Sequence, residues 1–552
     1  MNVQSRFLQW KEQVKDGLLK KELSALSESQ IKERFYKELS FGTGGLRGVL
    51  GVGTACLNIY TVARITRGVA AYIKRNALPY KVAISYDSRI NSRLFAETAA
   101  RVLASDGVSV VLTKELMPTP FLSYLTRETG AGLGIMITAS HNPKEYNGYK
   151  VYGADGCQLT DGAANAVAAE ISAFGYFEEI GKPFEEYLAN GQISYADERV
   201  EKSYLNEIKK LSSFPLDSLS LVYTPLHGTG YRLIPKLLKE KGIGKIVEVE
   251  GQNIPNGEFP TCPAPNPEKA EALTLGIKTL EQSDCDLLLA TDPDADRIGV
   301  VVKEKDGCRL LTGNETGALL CEYILSVGKE TGTLPACPVV VKTVVTTDLV
   351  KEICKDYGAA LIETLTGFKY IGEQVGRLEK QKDVDFVFGL EESYGYLTQT
   401  FVRDKDAVSA ALKIAEMAAY YKTQGKTLAD KLEELYARYG RFENKLLTYS
   451  YLGADGAVKL KETVEKLRSA PPQTLGGKKV VQVYDYLTGK TGLPKTDMLC
   501  FTMEDGSKTL VRPSGTEPLV KAYLFVRGDE KTNAETLIKL QADLNRLLGN
   551  RN

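Results

Sequence analysis

Histidine occurs only twice in the 552 residues of this chain, and neither sign of charge is in excess, because Lys plus Arg and Asp plus Glu stand at 70 each. That balance leaves no global field to attract nucleic acid or an anionic membrane, so any basic character must be local. Close-paired cysteines are missing too. The nine present, Cys56, Cys157, Cys262, Cys285, Cys308, Cys321, Cys337, Cys354 and Cys500, are scattered and odd in number. They fit reduced thiols in the cytosol better than a disulfide framework. No uninterrupted apolar stretch reaches membrane-spanning length, and Met1 to Lys20 lacks an apolar signal core, so cytoplasmic residence is expected. Nucleotide signatures fail as well. Gly489-Lys490-Thr491 resembles a Walker A ending, but Tyr484 stands where the earlier glycine is required. Arg47 takes the third glycine position of a dinucleotide loop at Gly42 to Gly48.

The apolar and charged fractions are those of an ordinary soluble globular protein, and the length exceeds what one hydrophobic core serves, so three or four domains are expected. Charged amphipathic helical stretches fill residues 1 to 40, such as Phe7 to Lys21, and Gly42 to Gly48 reads as a flexible loop. Beyond it, Val82 to Tyr86, Val108 to Leu112 and Leu133 to Ile137 read as strands with helical patterns between them. Leu219 to Tyr223 opens a second α/β unit, in which Pro255 to Pro267 reads as an ordered surface loop. Val339 to Val341 opens a third. The last part alternates differently, with strands at Val480 to Val483, Leu499 to Met503 and Leu519 to Val526 before a final helix near Ala534 to Leu548. Three α/β domains with mixed sheets and a smaller α+β domain account for this order.

Two distant loops carry the chemistry. The first, Thr138-Ala139-Ser140-His141-Asn142-Pro143, follows a mostly apolar strand that would deliver Ser140 into a turn. Lys150 arrives after a second turn signal at Asn147-Gly148, so a nucleophile and two proton carriers share one short stretch. The second loop, Asp292-Pro293-Asp294-Ala295-Asp296-Arg297, follows another buried-strand pattern. Alternate spacing turns three carboxylates toward one point, where they repel unless a cation sits between them. An EF-hand is excluded, because its sixth and twelfth positions hold Arg297 and Lys303. Three carboxylates without sulfur or imidazole favour magnesium or manganese over zinc or copper. Both histidines, His141 and His227, lie in loops after apolar strands. For His227 two readings stand side by side, a functional loop residue and a structural one bonded to its own Thr224-Pro225 turn.

On these loops and two more, the chain resembles the α-D-phosphohexomutase superfamily over nearly its whole length. Thr138 to Pro143 resembles that family's phosphoserine loop, Asp292 to Arg297 its metal loop, and Gly389-Leu390-Glu391-Glu392-Ser393-Tyr394-Gly395 its sugar-recognition loop. Arg512-Pro513-Ser514-Gly515-Thr516-Glu517-Pro518 resembles its phosphate-binding loop. Supporting matches are Gly42 to Gly48, Tyr86-Asp87-Ser88-Arg89, Thr224 to Gly230, Thr366-Gly367-Phe368-Lys369 and Arg403-Asp404-Lys405-Asp406. The resemblance implies four domains around a central cleft. They would be a phosphoserine domain with an N-terminal helical extension (1–206), a metal-binding domain (207–306), a sugar-recognition domain (307–437) and a C-terminal phosphate-binding domain (438–552).

The same resemblance implies an enzyme that moves a phosphoryl group between two ends of one sugar, through a phosphoserine and a bisphosphorylated sugar. Expected roles are catalysis by Ser140, His141, Lys150 and Arg47, and one Mg2+ per chain on Asp292, Asp294, Asp296 and a phosphoserine oxygen of Ser140. Substrate contacts are expected from Arg297, Lys369, Glu391, Ser393, Lys405, Arg512, Ser514, Gly515 and Thr516. The general base stays open between Lys150 and His141. The Glu-Glu-Ser loop points to glucose 1-phosphate and glucose 6-phosphate, with glucose 1,6-bisphosphate as activator and intermediate. The Phe41-Gly42-Thr43-Gly44-Gly45 opening also fits phosphomannomutases and phosphopentomutases. A serine-dependent metal phosphatase and a noncatalytic sugar-phosphate sensor are the readings from other classes. The expected partners are small sugar phosphates, with neither nucleic acid nor membrane, in a monomer or weak homodimer.

Overall fold

The computed structural model describes residues 2–42, 45–305, 307–451, 455–514 and 519–549. The chain divides into two compact units, one formed by 1–313 with 368–427, the other by 314–367 with 428–552.

The first unit begins with helices Val3–Gln13, Gly17–Ser24 and Glu28–Phe35. The helical stretch expected over Phe7 to Lys21 is thus broken in two. The break has a local cause and a distant one: Asp16 caps the second helix by accepting from Leu19 N at 2.9 Å, while the Tyr60 hydroxyl, far along the chain, accepts from Lys15 N and Asp16 N at 2.7 and 3.0 Å. Behind the break, Trp10 is wholly buried, its ring 5.3 to 5.8 Å from those of Phe177, Tyr176, Tyr60 and Phe35. This aromatic cluster ties the helical extension to the first α/β layer.

That layer is a mixed sheet of β1 (Gly45–Val49), β2 (Lys81–Tyr86), β3 (Ser109–Leu112), β4 (Leu133–Ile137), β5 (Tyr146–Gly153) and β6 (Ile193–Tyr195), in the spatial order β1-β5-β4-β2-β3-β6. β2, β3, β4 and β6 run parallel, whereas β5 pairs antiparallel with both β4 and β1. Two expectations change here. Gly42 to Gly48 is largely strand, since β1 begins at Gly45, with Thr43 and Gly44 outside the described residues. Asn147-Gly148 is no turn but part of β5, opposite Gly48 and Arg47. Tertiary packing overrides the turn signal: Asn147 Nδ2 donates to Ile90 O and Ser92 Oγ, both at 2.9 Å, and a Cβ on Gly148 would stand 2.4 Å from Thr138 O.

The second sheet of this unit contains β7 (Ser220–Thr224), β8 (Lys245–Glu248), β9 (Leu287–Thr291), β10 (Ile298–Glu304) and β11 (Gly307–Leu311), ordered β11-β10-β9-β7-β8. β7, β8 and β9 are parallel, and β10 folds back antiparallel on β9 with Thr291 opposite Ile298. All five residues of β9 are buried, as its apolar run requires.

In the second unit, β12 (Pro338–Thr343) and β13 (Ala360–Thr364) are parallel and flank helix Leu349–Tyr357. The first unit regains the chain with helix Phe368–Leu378, the antiparallel pair β14 (Asp385–Glu391) and β15 (Gly395–Leu397), and helix Ala407–Thr423. The second then closes with an antiparallel sheet of β16 (Arg441–Ser450), β17 (Thr474–Leu475), β18 (Lys478–Asp485), β19 (Leu499–Met503), β20 (Lys508–Pro513) and β21 (Leu519–Gly528). Helix Glu530–Leu548 covers one face through Leu540, Leu544 and Leu548. The chain is therefore α/β with mixed sheets and a C-terminal α+β domain. Among the described residues no helix is long and apolar enough to cross a membrane.

Replacing Trp10 by alanine empties the centre of the N-terminal aromatic cluster, and a loss of about 3–5 kcal/mol is expected. Urea unfolding followed by circular dichroism measures it; a loss below about 1 kcal/mol would show the extension to be dispensable for packing.

Candidate active site

Both chemistry-bearing loops are hairpin connections in the first unit. Ser140 lies between β4 and β5, and the aspartate loop joins β9 to β10. Within the aspartate loop the backbone closes tightly. Asp292 Oδ1 accepts from the amides of Asp296 and Arg297 at 3.1 and 3.0 Å, and Ala295 N donates to Asp292 O at 2.9 Å. This leaves Asp292 Oδ2 to face the other loop, where Ser140 Oγ donates to it at 2.8 Å. One carboxyl oxygen from each of Asp292, Asp294 and Asp296 lies within 4.8 Å of the others, and all three residues are buried. The Thr224 to Gly230 segment braces this loop from behind: Thr229 N donates to Pro293 O at 2.8 Å, and a Cβ on Gly228 would meet Pro293 Cα at 2.4 Å.

Charge is unevenly compensated. Asp294 Oδ2 accepts from Thr119 Oγ1 at 2.8 Å and from Lys150 Nζ at 2.9 Å. Asp296 Oδ2 faces Lys405 at 3.2 Å and Lys150 at 3.5 Å. The remaining oxygens, Oδ1 of Asp294 and of Asp296, are buried without a hydrogen-bond partner. Burial, then repulsion from Asp294 and Asp296, pushes the Asp292 carboxyl well above the ordinary carboxylate range. Burial acts on Asp294 in the same sense, but Lys150 more than offsets it and holds that carboxyl low. Lys150 and Lys405 are both held above the usual lysine value: burial opposes their charge, and the facing carboxylates outweigh it. Buried orphan oxygens in an all-oxygen donor set fit a hard divalent cation.

Ser140 sits at φ 55°, a left-handed conformation costly for a serine. It is held there by a buried relay. Ser140 N donates to Thr138 Oγ1 at 2.7 Å, and Thr138 Oγ1 donates to Asp87 Oδ2 at 2.6 Å. Arg89, paired with Asp87 at 3.4 Å, donates to the carbonyls of Ser140, Asn142, Pro143 and Tyr146. Phe259 stacks against its guanidinium at 5.1 Å. His141 Nδ1 lies 3.2 Å from Ser140 Oγ. Burial first, then the cations Arg297 and Arg47, lowers the His141 pKa well below that of free imidazole.

The other expected residues fall as follows. Arg47 on β1 donates to Asn142 Oδ1 at 3.1 Å, which brings it to the serine loop. Arg297 pairs with Glu268 at 2.5 Å and stands 3.9 Å from Asp296. Ser393 Oγ donates to Glu391 Oε1 at 2.9 Å, and burial raises the Glu391 carboxyl despite Lys405 and Arg297 nearby. Lys405 also pairs with Asp404 at 3.1 Å, and Asp404 accepts from Tyr152 at 2.8 Å. Lys369 is directed elsewhere, to Asp161 at 2.5 Å. Arg512, at the end of β20, and Ser514, whose amide donates to Leu519 O at 2.8 Å, belong to the second unit. Gly515 and Thr516 lie outside the described residues.

His227 takes the structural role, with different partners from those expected. Its ring nitrogens meet Ile254 O at 3.1 Å and Thr261 Oγ1 at 2.9 Å, pinning the 250s loop rather than its own turn. Asp87, Arg89 and Asp404 lie within matched motifs that by themselves assign them no role. Thr119 and Glu268 carry no local signal, because only the fold brings them to the aspartates.

Comparisons with known proteins agree with this geometry. Models of phosphoglucomutase/phosphomannomutase alpha/beta/alpha domains I, II and III match residues 38–175, 202–307 and 312–439. The chain belongs to the phosphoglucomutase/phosphomannomutase family. It is 35% identical over 536 residues to a phosphoglucomutase of Staphylococcus aureus (strain USA300), covering 94% of this chain and 95% of that one. A putative phosphomannomutase from Thermus thermophilus shares its fold at a TM-score of 0.71 and 22% identity, over 92% of this chain and 99% of the other. The open form of the Paramecium phosphoglucomutase parafusin does so at 0.69 and 18%, over 93% and 97%. The chain is accordingly an intramolecular phosphotransferase.

Two outcomes are expected. Arg89→Met leaves Asp87 buried and unpaired, and should lower stability by about 3–5 kcal/mol while slowing turnover; unchanged melting and kinetics would show that the carbonyl clamp is not needed. Magnesium at about 100 times its Kd should stabilise the wild type by about 2.7 kcal/mol and Asp294→Asn by much less. Differential scanning calorimetry with and without the cation reads both, and equal shifts in the two proteins would exclude the aspartate cluster as the binding site.

Proposed function

We propose that this enzyme interconverts glucose 1-phosphate and glucose 6-phosphate through a phosphoserine at Ser140 and glucose 1,6-bisphosphate. The observation that carries the reading is the 2.8 Å hydrogen bond from Ser140 Oγ to Asp292, which joins a nucleophile to a buried cluster of carboxylates from a distant loop. In the first half-reaction a sugar hydroxyl oxygen attacks the phosphorus of the phosphoserine at Ser140, the bond to Ser140 Oγ breaks, and the hydroxyl proton passes to a protein base. In the second, Ser140 Oγ attacks the phosphorus at the other end of the bisphosphate, the bond to that sugar oxygen breaks, and the oxygen takes up a proton. His141 and Lys150 together form the proton-handling pair. Asp292, Asp294, Asp296 and Ser140 would hold one Mg2+, which when bound neutralises charge on the transferring group. Arg47 and Arg297, flanking the two loops, supply further positive charge there.

A substrate that exchanges its ends must be held in two orientations. Glu391 and Ser393, a carboxylate beside a hydroxyl, can accept from and donate to vicinal sugar hydroxyls in either sense. Lys405 stands near the carboxylates, and Lys369 adds a cation whose present partner is Asp161. Arg512 and Ser514, with Gly515 and Thr516, would cradle the phosphate that does not transfer, since a guanidinium fork matches phosphate geometry. A reduced, cytoplasmic setting is in keeping with the nine free cysteines. The partners are small sugar phosphates.

One preparation assayed on glucose, mannose, ribose and deoxyribose 1-phosphates, with the matching bisphosphate present, tests the substrate. The glucose ester should have the highest kcat/KM, whereas a preference for mannose or a pentose would reassign the enzyme within its family. Ser140→Ala should abolish turnover without loss of fold, and incubation with glucose 1,6-bisphosphate should leave its intact mass unchanged. Phosphate release without isomerisation would identify a phosphatase instead.

A further inference from the structure

The β20–β21 hairpin carries Arg512 at its closed end, its register running from Lys508 opposite Phe525 to Pro513 opposite Val520. Its open end is pinned by ion pairs within the same unit. Lys508 Nζ donates to Asp348 Oδ2, and Arg527 on β21 faces Glu352 at 3.5 Å. Asp348 immediately precedes helix Leu349–Tyr357, and Glu352 lies in its first turn. Asp348 is in turn held from the opposite side. Lys342 on β12 has a fully buried side chain, and its ammonium reaches Asp348 Oδ1 at 3.2 Å, Glu363 at 2.8 Å and Thr346 O at 3.1 Å. An ammonium so far from water requires such partners, so Asp348 is fixed by one lysine and left with its second oxygen to fix another.

Lys508 and Arg512 are four residues apart on one strand, so they stand on the same face, about 13 Å from each other along it. A strand stiffened by ladders to β19 and β21 transmits a small rotation at its base to its tip. We propose that Asp348, acting through Lys508, is a positioning residue that sets the direction in which Arg512 is presented to the substrate phosphate. The inference rests on the phosphate-cradle reading of Arg512. Burial and pairing oppose each other on both partners, and pairing prevails: burial raises the Asp348 carboxyl, but Lys342 and Lys508 hold it below the usual carboxylate value, and burial lowers Lys508, but Asp348 holds it above the usual lysine value. The contact therefore persists as an ion pair at neutral pH.

Steady-state kinetics on glucose 1-phosphate with glucose 1,6-bisphosphate tests it, using Lys508→Met, Lys508→Arg, Asp348→Asn, Arg512→Ala and the Lys508→Met/Arg512→Ala double variant, each with its melting temperature. Lys508→Met and Asp348→Asn should raise KM about fivefold with kcat within about twofold, a change of the size an ion pair of this exposure can supply, and Lys508→Arg should restore KM. In the Arg512→Ala background Lys508→Met should add nothing to KM, because the residue it positions is gone. Additive effects, or a lowered melting temperature with unchanged KM, would reduce the pair to a structural tie and overturn the inference while leaving the cradle in place. An unchanged KM in Arg512→Ala would overturn the cradle reading itself, and the inference with it.

Discussion

Three carboxylates brought together out of water are the constraint on which the first unit is built. Asp292, Asp294 and Asp296 repel one another, and the fold answers with two lysines from different strands and loops, a threonine, two backbone amides and the Ser140 hydroxyl. The compensation is partial. Two carboxyl oxygens remain buried and unsatisfied, and a folded protein retains such groups where a ligand satisfies them. The requirements on the surroundings follow from this. The loop must be short, its brace at Gly228 must lack a side chain, and the strand bearing Lys150 and the loop bearing Lys405 must reach it from two directions.

The Ser140 loop obeys a second constraint that serves the first. Ser140 faces Asp292 from a left-handed backbone, and Arg89 maintains that turn by gathering three loop carbonyls and that of Tyr146 at the start of β5 onto one guanidinium. The 250s loop, pinned by His227, lays Phe259 over the same cation. Two sheets of the first unit thus share responsibility for the position of one hydroxyl. In the second unit Asp348 serves two purposes in the same way, since one carboxylate neutralises a buried lysine and anchors the strand that carries Arg512.

Much of the site was legible where the chemistry and its support are local. The aspartate loop could be read because all three carboxylates lie within five residues on a six-residue hairpin connection, at alternate positions. Leu133 to Ile137 and Leu499 to Met503 were read to the residue, since a buried strand bounded by turn formers leaves little choice. Misreadings fell where distant packing outvoted a local signal. Asn147-Gly148 has the composition of a turn, yet it runs straight because its amide and its missing side chain are both used by neighbouring segments. The helix drawn through Val14 to Asp16 breaks because a hydroxyl from Tyr60, far along the chain, takes its amides.

The sequence by itself determined the alternation of strands and helices, the presence of the two loops at strand ends, the chemical character of their side chains and the family to which they belong. The elements and loops depend on periodicity, turn chemistry and spacing, which act over a few residues, and the family was legible through the resemblance of four short motifs. Only the tertiary structure decided which oxygens are satisfied and which are left open, that Lys150 and Lys405 converge on the aspartates while Lys369 turns to Asp161, and that Arg89, Thr119 and Glu268 complete the surroundings. Those outcomes join residues 29 to 208 positions apart in the chain. Electrostatics in a buried site depends on distance in space and on exclusion of water, and neither is written in the order of the residues.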